Sequence, residues 1–270
     1  PVCSTRAASW RIWRRKSDGP CTVVELAPHV LPPLEPEMAK LIRDELVRLG
    51  IDVRDGTSAE GVEQHDDHDV ILLSDGSRIE ADFTVLSVGV RPDTSVWQEA
   101  GIECDADAIV VDEHGRTNVQ HVWAVGDATV SADTVTGARR PVALAGPANR
   151  AGRLVADAIM GRTSHRLPDV AGTAIVRVGR LTAAMTGANR RALDQAGIPF
   201  QTVHLHPLNH AGYFPGATQL HLLVHFGDDG RVLGAQAVGG DGVDKRIDVL
   251  AVAIKAGLTV GDLVDLDLAY

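Results

Sequence analysis

The sequence predicts an α/β chain whose later part changes to an α+β arrangement around an antiparallel sheet. Three observations carry that expectation. Residues 21–54 read as strand, helix and strand. An apolar run ends on Gly126-Asp127, and in open α/β sheets ligands bind at the carboxyl ends of such strands. From residue 168 onward, strand runs gather around a D-D-G turn and close on a helix, the pattern of a separate antiparallel layer.

The 270 residues suffice for two domains of ordinary size and a substantial core. Hydrophobic residues make up 44% and charged residues 23%, the composition of a soluble globular protein. The formal charge of -10 and the pI near 5.5 argue against a nucleic-acid partner, because no basic surplus exists to release counterions. No apolar run reaches the ~18 residues that cross a bilayer, and no signal-peptide pattern opens the chain, so no membrane partner and a cytoplasmic location are expected. Cys3, Cys21 and Cys104 are widely spaced, which indicates neither a disulfide framework nor a zinc knuckle.

Residues 1–20 form an atypical leader. Arg6, Arg11, Arg14, Arg15 and Lys16 sit with two tryptophans before the first acid, Asp18. The segment reads either as a basic amphipathic helix for a surface or as a disordered or non-native leader.

C-T-V-V-E-L then makes a strand ending near Glu25, and A-P-H-V-L-P-P-L breaks the chain. Met38, Leu41, Ile42, Leu46 and Leu49 recur at helical spacing, with Pro36 in the first turn and Gly50 as the stop. I-D-V-R returns to strand, which completes half of a Rossmann-like unit. Glu25 is placed either to hydrogen-bond an adenosine ribose and repel a 2′-phosphate or, with no glycine loop before it, as a surface acid.

Residues 57–82 alternate and turn at Asp75-Gly76, as a three-stranded antiparallel meander does. F-T-V-L-S-V-G at 83–89 reads as a strand that Pro92 closes, and D-E-H-G at 112–115 as a turn. Val122, Trp123, Ala124 and Val125 then predict a short strand buried on both faces. It delivers Gly126 for close backbone approach and Asp127 to accept a hydrogen bond from a cofactor hydroxyl. A helix starting near Val142 follows, rich in small residues (Ala143, Ala145, Gly146, Ala148, Ala151, Gly152), with Leu154, Val155, Ala158 and Ile159 as its apolar face. Its unpaired N–H groups and positive end would face what Asp127 faces.

Residues 163–169 form a polar linker and a domain boundary. Strand runs follow at A-I-V-R-V, F-Q-T-V-H-L, L-H-L-L-V-H-F and V-L-G-A-Q-A-V, the last two joined by a turn at Asp228-Asp229-Gly230, with helices at 189–196 and 244–256. His204, His206 and His210, with His221 and His225 on a neighbouring run, form either a metal set or a strand-end cluster at a subunit contact. No G-x-S-x-G elbow is present.

Several stretches taken together, in order, carry a resemblance. They are C-T-V-V-E-L-A-P-H-V-L-P-P-L, V-G-V-R-P-D-T, T-N-V-Q-H-V-W-A-V-G-D, A-L-A-G-P-A-N-R-A-G-R, H-A-G-Y-F-P-G-A-T and L-G-A-Q-A-V-G-G-D-G-V-D-K-R-I-D-V. The chain resembles the pyridine nucleotide-disulfide oxidoreductases, in the branch of coenzyme A disulfide reductases and NADH oxidases. The resemblance implies partial FAD/NAD(P)-binding Rossmann-like domains of the three-layer ββα kind, followed by an α+β dimerisation domain with an antiparallel sheet. It divides the chain into the leader, the remainder of an NAD(P)H-binding domain at 21–92, the C-terminal part of an FAD-binding domain at 93–163, and a dimerisation domain at 168–270.

The same resemblance implies residue roles. The stretch from Thr117 to Asp127, Gly126 included, lines the flavin site, with Asp127 bonded to the ribityl chain of FAD, and Ala145 belongs to the helix lying against the flavin pyrimidine. Glu25 matches the acid at the nicotinamide cofactor's ribose, favouring NADH over NADPH. Asn149 falls at the disulfide substrate, Tyr213 reaches the partner's thiol site in a homodimer, and Tyr270 lies at the partner's flavin. Hydride passes from NADH to FAD and on to a low-molecular-weight disulfide such as coenzyme A disulfide, or to oxygen. The chain departs from the family in having no G-x-G-x-x-G and no active-site cysteine, so no catalytic residue is assigned. It is expected to be the C-terminal two-thirds of a reductase behind a misread leader. The rival reading is a non-catalytic dimerising remnant that pairs through an exposed L-H-L-L-V-H-F strand.

Overall fold

The computed structural model describes residues 21–105, 107–162 and 165–269. The leader and Tyr270 lie outside the described residues. The first described unit is strand, helix and parallel strand: β1 (Cys21–Glu25), α1 (Pro36–Arg48) and β2 (Ile51–Asp55), paired from Cys21 with Ile51 to Glu25 with Asp55. α1 forms where its apolar spacing predicts, with Pro36 at its start and Glu37 and Arg48 at the ends that suit the helix dipole. The meander follows as β3 (Ala59–Gln64), β4 (Asp69–Leu73) and β5 (Arg78–Ala81), and Gly76, at φ +80°, makes the expected turn.

Short elements occupy the middle: α2 (Ser95–Glu99), the pair β6 (Cys104–Asp105) and β7 (Ala108–Ile109), the pair β8 (Val130–Ala132) and β9 (Arg139–Pro141), and α3 (Ala145–Ile159). The last part is β10 (Ala174–Val178), β11 (Leu181–Gly187), α4 (Arg190–Ala196), β12 (Gln201–Leu205), β13 (His221–Phe226), β14 (Val232–Gly239), α5 (Val243–Ala256) and α6 (Val260–Val264). Its five strands form one antiparallel sheet in the order β10-β11-β14-β13-β12.

That sheet is covered on both faces because neighbouring residues of a strand point to opposite sides. Ala183, Leu223 and Val238 join the α1 core with Met38, Ile42 and Leu46. Their neighbours Ala184, Val224 and Ala237 join Ile247, Leu250 and Ile254 of α5. The β1–α1–β2 unit therefore shares a core with the five-stranded sheet.

Three expectations are corrected, and one strand is added. Residues 83–89 form no strand, and Phe83, Val85, Leu86 and Val90 are exposed, Phe83 by 82%. Residues 122–125 contribute a single bridge, between Arg116 and Trp123, and Val125 is exposed rather than buried. A strand needs a ladder partner, and among the described residues neither run pairs into a sheet. The L-H-L-L-V-H-F strand is not exposed: β13 lies between β14 and β12, with Leu223, Val224 and His225 buried. β11 was not anticipated, because its L-T-A-A-M-T-G is rich in small residues of low β-propensity and becomes a strand by pairing on both edges. The linker is also tethered, since Leu167 N–H donates to the Glu113 carbonyl at 2.7 Å and Arg166 pairs with Glu113 at 3.0 Å.

Candidate cofactor site

The site is built on a turn and a helix start. Gly126 has φ +90°, a conformation open to glycine and strained for other residues. Its carbonyl accepts from the Thr129 N–H (3.0 Å) and the Thr129 hydroxyl (2.8 Å), and Ile109 N–H binds the Ala128 carbonyl at 2.8 Å. Those bonds hold the turn that presents Asp127. The Asp127 side chain is exposed and forms no hydrogen bond or ion pair among the described residues.

α3 meets this turn. A Cβ placed on Gly126 would lie 4.0 Å from Ala148 Cβ, one turn into the helix. A second close approach is at Gly115, where a Cβ would fall 2.3 Å from Val155 Cγ2, so only glycine lets α3 seat against the 112–115 turn. The helix begins at Ala145, three residues later than expected, because Leu144 is still extended at φ -133°. No side chain among the described residues caps it, and Ala145, Gly146 and Asn149 are exposed. Its first N–H groups, those of Ala145 and Gly146, therefore have no partner among the described residues.

Thr117 braces the 117–122 loop that leads into the turn: its hydroxyl donates toward the carbonyls of Val119 (3.3 Å) and Val122 (3.1 Å) and accepts the Val119 N–H (3.1 Å). Trp123 lies within the 117–127 stretch expected to line the flavin site. Its Nε1 is buried and has no partner among the described residues, a donor that natural interiors rarely leave unmatched. A cavity of about 180 Å³ is lined by Gly126, Thr129, Ala148 and Ala151 among others, and Trp123, Asp127, Ala145 and Asn149 are not in its wall. Cofactor pockets commonly enclose ~300–1,000 Å³, so this hollow is smaller than a cofactor pocket, and of the predicted residues Thr117, Gly126, Asp127, Ala145 and Asn149, Gly126 alone lines it.

Glu25 belongs to the other unit and no hydrogen bond joins it to the Asp127 turn. It is buried, not a surface acid, and its Oε1 accepts the Ala27 N–H at 2.8 Å. Tyr213 is 88% exposed in the loop between β12 and β13. The histidines do not converge: His206 and His221 rings lie 5.0 Å apart edge to face, His204 lies 3.6 Å from Glu37, and His225 is buried against Glu35. Burial, then the nearby charge of His206, hold His221 below its ordinary pKa. Among the described residues no three side chains are grouped to hold a metal, and no helix is long and apolar enough to cross a membrane.

Residues 7–146 match the family model of the pyridine nucleotide-disulphide oxidoreductases, and residues 173–270 match the dimerisation domain of the same family. The chain belongs to the pyridine nucleotide-disulphide oxidoreductase family. It is 30% identical over 249 residues to an NADH oxidase of Methanocaldococcus jannaschii, covering 92% of this chain and 55% of the relative. It is 30% identical over 239 residues to a coenzyme A disulfide reductase of Staphylococcus haemolyticus, covering 88% and 53%. Among solved structures, an NAD-dependent persulfide reductase from A. fulgidus superimposes with a TM-score of 0.89 at 35% identity, covering 92% of this chain and 46% of the other. The chain thus spans about half the length of the curated relatives it matches.

Membership of the pyridine nucleotide-disulphide oxidoreductases implies FAD and a nicotinamide cofactor. The described residues suit one end of FAD. An unpaired carboxylate matches sugar-alcohol hydroxyls, uncapped helix N–H groups match a ring carbonyl, and Gly126 and Gly146 leave room, since a Cβ on Gly146 would meet nothing within 4 Å.

Proposed function

We propose that this chain supplies the ribityl-binding, nicotinamide-ribose-binding and dimer-forming parts of an FAD-dependent reductase of a low-molecular-weight disulfide such as coenzyme A disulfide. The observation that carries the proposal is the meeting of the Gly126-Asp127 turn with the uncapped start of α3. Bound FAD would take hydride from the reduced nicotinamide and deliver electrons to the disulfide. Asp127 accepts from the ribityl hydroxyls, and the N–H groups of Ala145 and Gly146, reinforced by the helix dipole, stabilise charge on the pyrimidine end. Thr117 lines the same site and braces the 117–122 loop that leads into the turn.

Glu25 accepts from the ribose of the nicotinamide cofactor, and its charge opposes a 2′-phosphate, so NADH is preferred over NADPH. Asn149 and Tyr213 contact the substrate, Tyr213 from across a homodimer formed by residues 168–270, and Tyr270 approaches the flavin of the partner subunit. Residues 21–92 and 93–163 are then the remaining portions of the NAD(P)H and FAD domains. A cytoplasmic setting, with neither nucleic acid nor membrane as partner, accords with the charge of -10.

Two alternatives have their own support. Oxygen as the acceptor follows the relative named NADH oxidase. A dimerising chain without turnover is favoured by the exposed apolar run at 83–90. NADH oxidation followed with added FAD separates the three. Consumption with coenzyme A disulfide in the absence of air supports the reductase, consumption only in air supports the oxidase, and a stable dimer with neither leaves the non-catalytic alternative.

A further inference from the structure

The loop that leaves Glu25 packs on the other half of the molecule. Val30, Leu31 and Leu34 share their core with Val178, Ala183, Leu223 and Val238 of the five-stranded sheet. At its end Glu35, buried at 5% exposure, meets two strands and a helix of that half directly and a third strand through His225. Its N–H donates to Gln236 Oε1 on β14 at 2.7 Å, and its Oε1 accepts the Arg190 N–H at the start of α4 at 2.7 Å. The same oxygen lies 3.3 Å from His225 Nε2 on β13, whose Nδ1 is 2.8 Å from the Thr202 hydroxyl on β12.

The contact is reciprocal. Asn189 caps α4 by accepting the Ala192 N–H at 2.9 Å, and its Nδ2 donates to the Pro33 carbonyl at 3.0 Å. The residue that precedes α1 thus satisfies the first N–H of α4, while the residue that precedes α4 holds the loop before α1. A buried carboxylate is costly unless hydrogen-bonded. Burial works to raise the Glu35 pKa, but the His225 and Arg190 N–H bonds, with the charges of His225 and Arg190, bring it below the ordinary carboxylate value. An apolar contact would join the two halves equally well, whereas directed bonds also set their register.

We propose that Glu35 and Asn189 form a clasp through which the five-stranded sheet positions Glu25, so that this sheet, and not only the β1–β2 pair, sets the affinity for the nicotinamide cofactor. The loop carries the position forward: Ala27 N–H holds the Glu25 carboxylate at 2.8 Å, and Gly56 N–H holds the Ala27 carbonyl at 2.8 Å. Glu35 and Asn189 are positioning residues, and the inference rests on Glu25 being the ribose acid.

The test uses the full chain and its Glu35→Ala, Glu35→Gln, Asn189→Ala and Glu25→Ala variants, with two readouts. Amide hydrogen exchange reports on residues 26–34, and the fluorescence of reduced nicotinamide reports NADH affinity. Glu35→Ala and Asn189→Ala should each speed exchange in 26–34 by about tenfold or more, leave β13 and β14 unchanged, and weaken NADH binding by about tenfold. Glu35→Gln, which keeps an acceptor for the Arg190 N–H, should restore most of both. Glu25→Ala should weaken NADH binding and speed exchange only at Ala27, whose N–H it frees, leaving exchange in 29–34 unchanged. Asn189→Ala leaves every sheet residue in place and decides the matter if Glu35→Ala does not fold. Unchanged exchange in 26–34 overturns the clasp. Faster exchange with unchanged NADH affinity, while Glu25→Ala still lowers it, overturns the positioning role. If the chain binds no NADH, or Glu25→Ala has no effect on binding, the ribose assignment of Glu25 fails and takes the proposal with it, while exchange reports separately on the clasp.

Discussion

Replacing Glu45 by glutamine should destabilise the chain by about 2 kcal/mol at neutral pH and by much less in acid. The Glu45 side chain is 1% exposed, and two bonds from Arg48, from Nε and Nη2, reach it at 2.7 Å each. Arg180 adds its N–H at 2.9 Å and its Nε at 3.1 Å, which ties α1 to the β10–β11 turn. The Arg48 bonds are the largest cause holding the Glu45 carboxyl down from 4.5 to about 2, against burial, which pulls upward. That displacement corresponds to about 3 kcal/mol. The two guanidinium side chains are 46% and 70% exposed, and water and salt weaken their hold, so about 2 kcal/mol is the expected loss. The sign follows from a folded value lying below the unfolded one. The contribution is complete above the unfolded pKa of 4.5 and is lost as the pH falls through about 2. Urea unfolding of the wild type and of Glu45→Gln, followed by circular dichroism, should show the gap at pH 7 shrinking to under about half by pH 3. An equal gap at both pH values would mean that Glu45 contributes packing alone, and the electrostatic reasoning would be refuted.

Gly234→Ala should destabilise by about 3 kcal/mol or more, because a Cβ would fall 1.9 Å from the Ala188 carbonyl oxygen, which is backbone and cannot swing away. The same unfolding assay checks it. Asp127→Ala should weaken FAD binding by about tenfold or more, the usual effect of removing a charged hydrogen-bond partner, with little change in stability because the carboxylate is exposed and unpaired. Flavin titration measures the first and thermal melting the second. Glu25→Ala should narrow the preference for NADH over NADPH by about tenfold, read from the ratio of the two affinities.

Legibility in the sequence followed periodicity and pairing. α1 and α5 were readable because their apolar residues recur on one face, and both bury that face. β10, β12, β13 and β14 were readable from β-branched and apolar runs between turns. β11 was not, since the pairing that makes Leu181–Gly187 a strand lies on two other strands. Residues 83–89 failed in the opposite direction, for an apolar run states a preference but cannot supply a partner. At the site, the glycine and acid of the 126–127 turn could be read from their place after an apolar run. The roles of Glu35, Asn189 and Gln236 could not, because each partner is more than a hundred residues distant in the chain and no local spacing records it. Trp123 was legible as part of the 117–127 stretch, but not that its Nε1 is buried without a partner among the described residues.

The central claim, that the Asp127 turn and the start of α3 form a flavin half-site, is tested most directly by the visible absorbance of the purified chain with and without added FAD. The account predicts a flavin band that remains with the protein after desalting and that Asp127→Ala diminishes. A colourless protein after FAD addition, from a chain whose circular dichroism shows it folded, would contradict it.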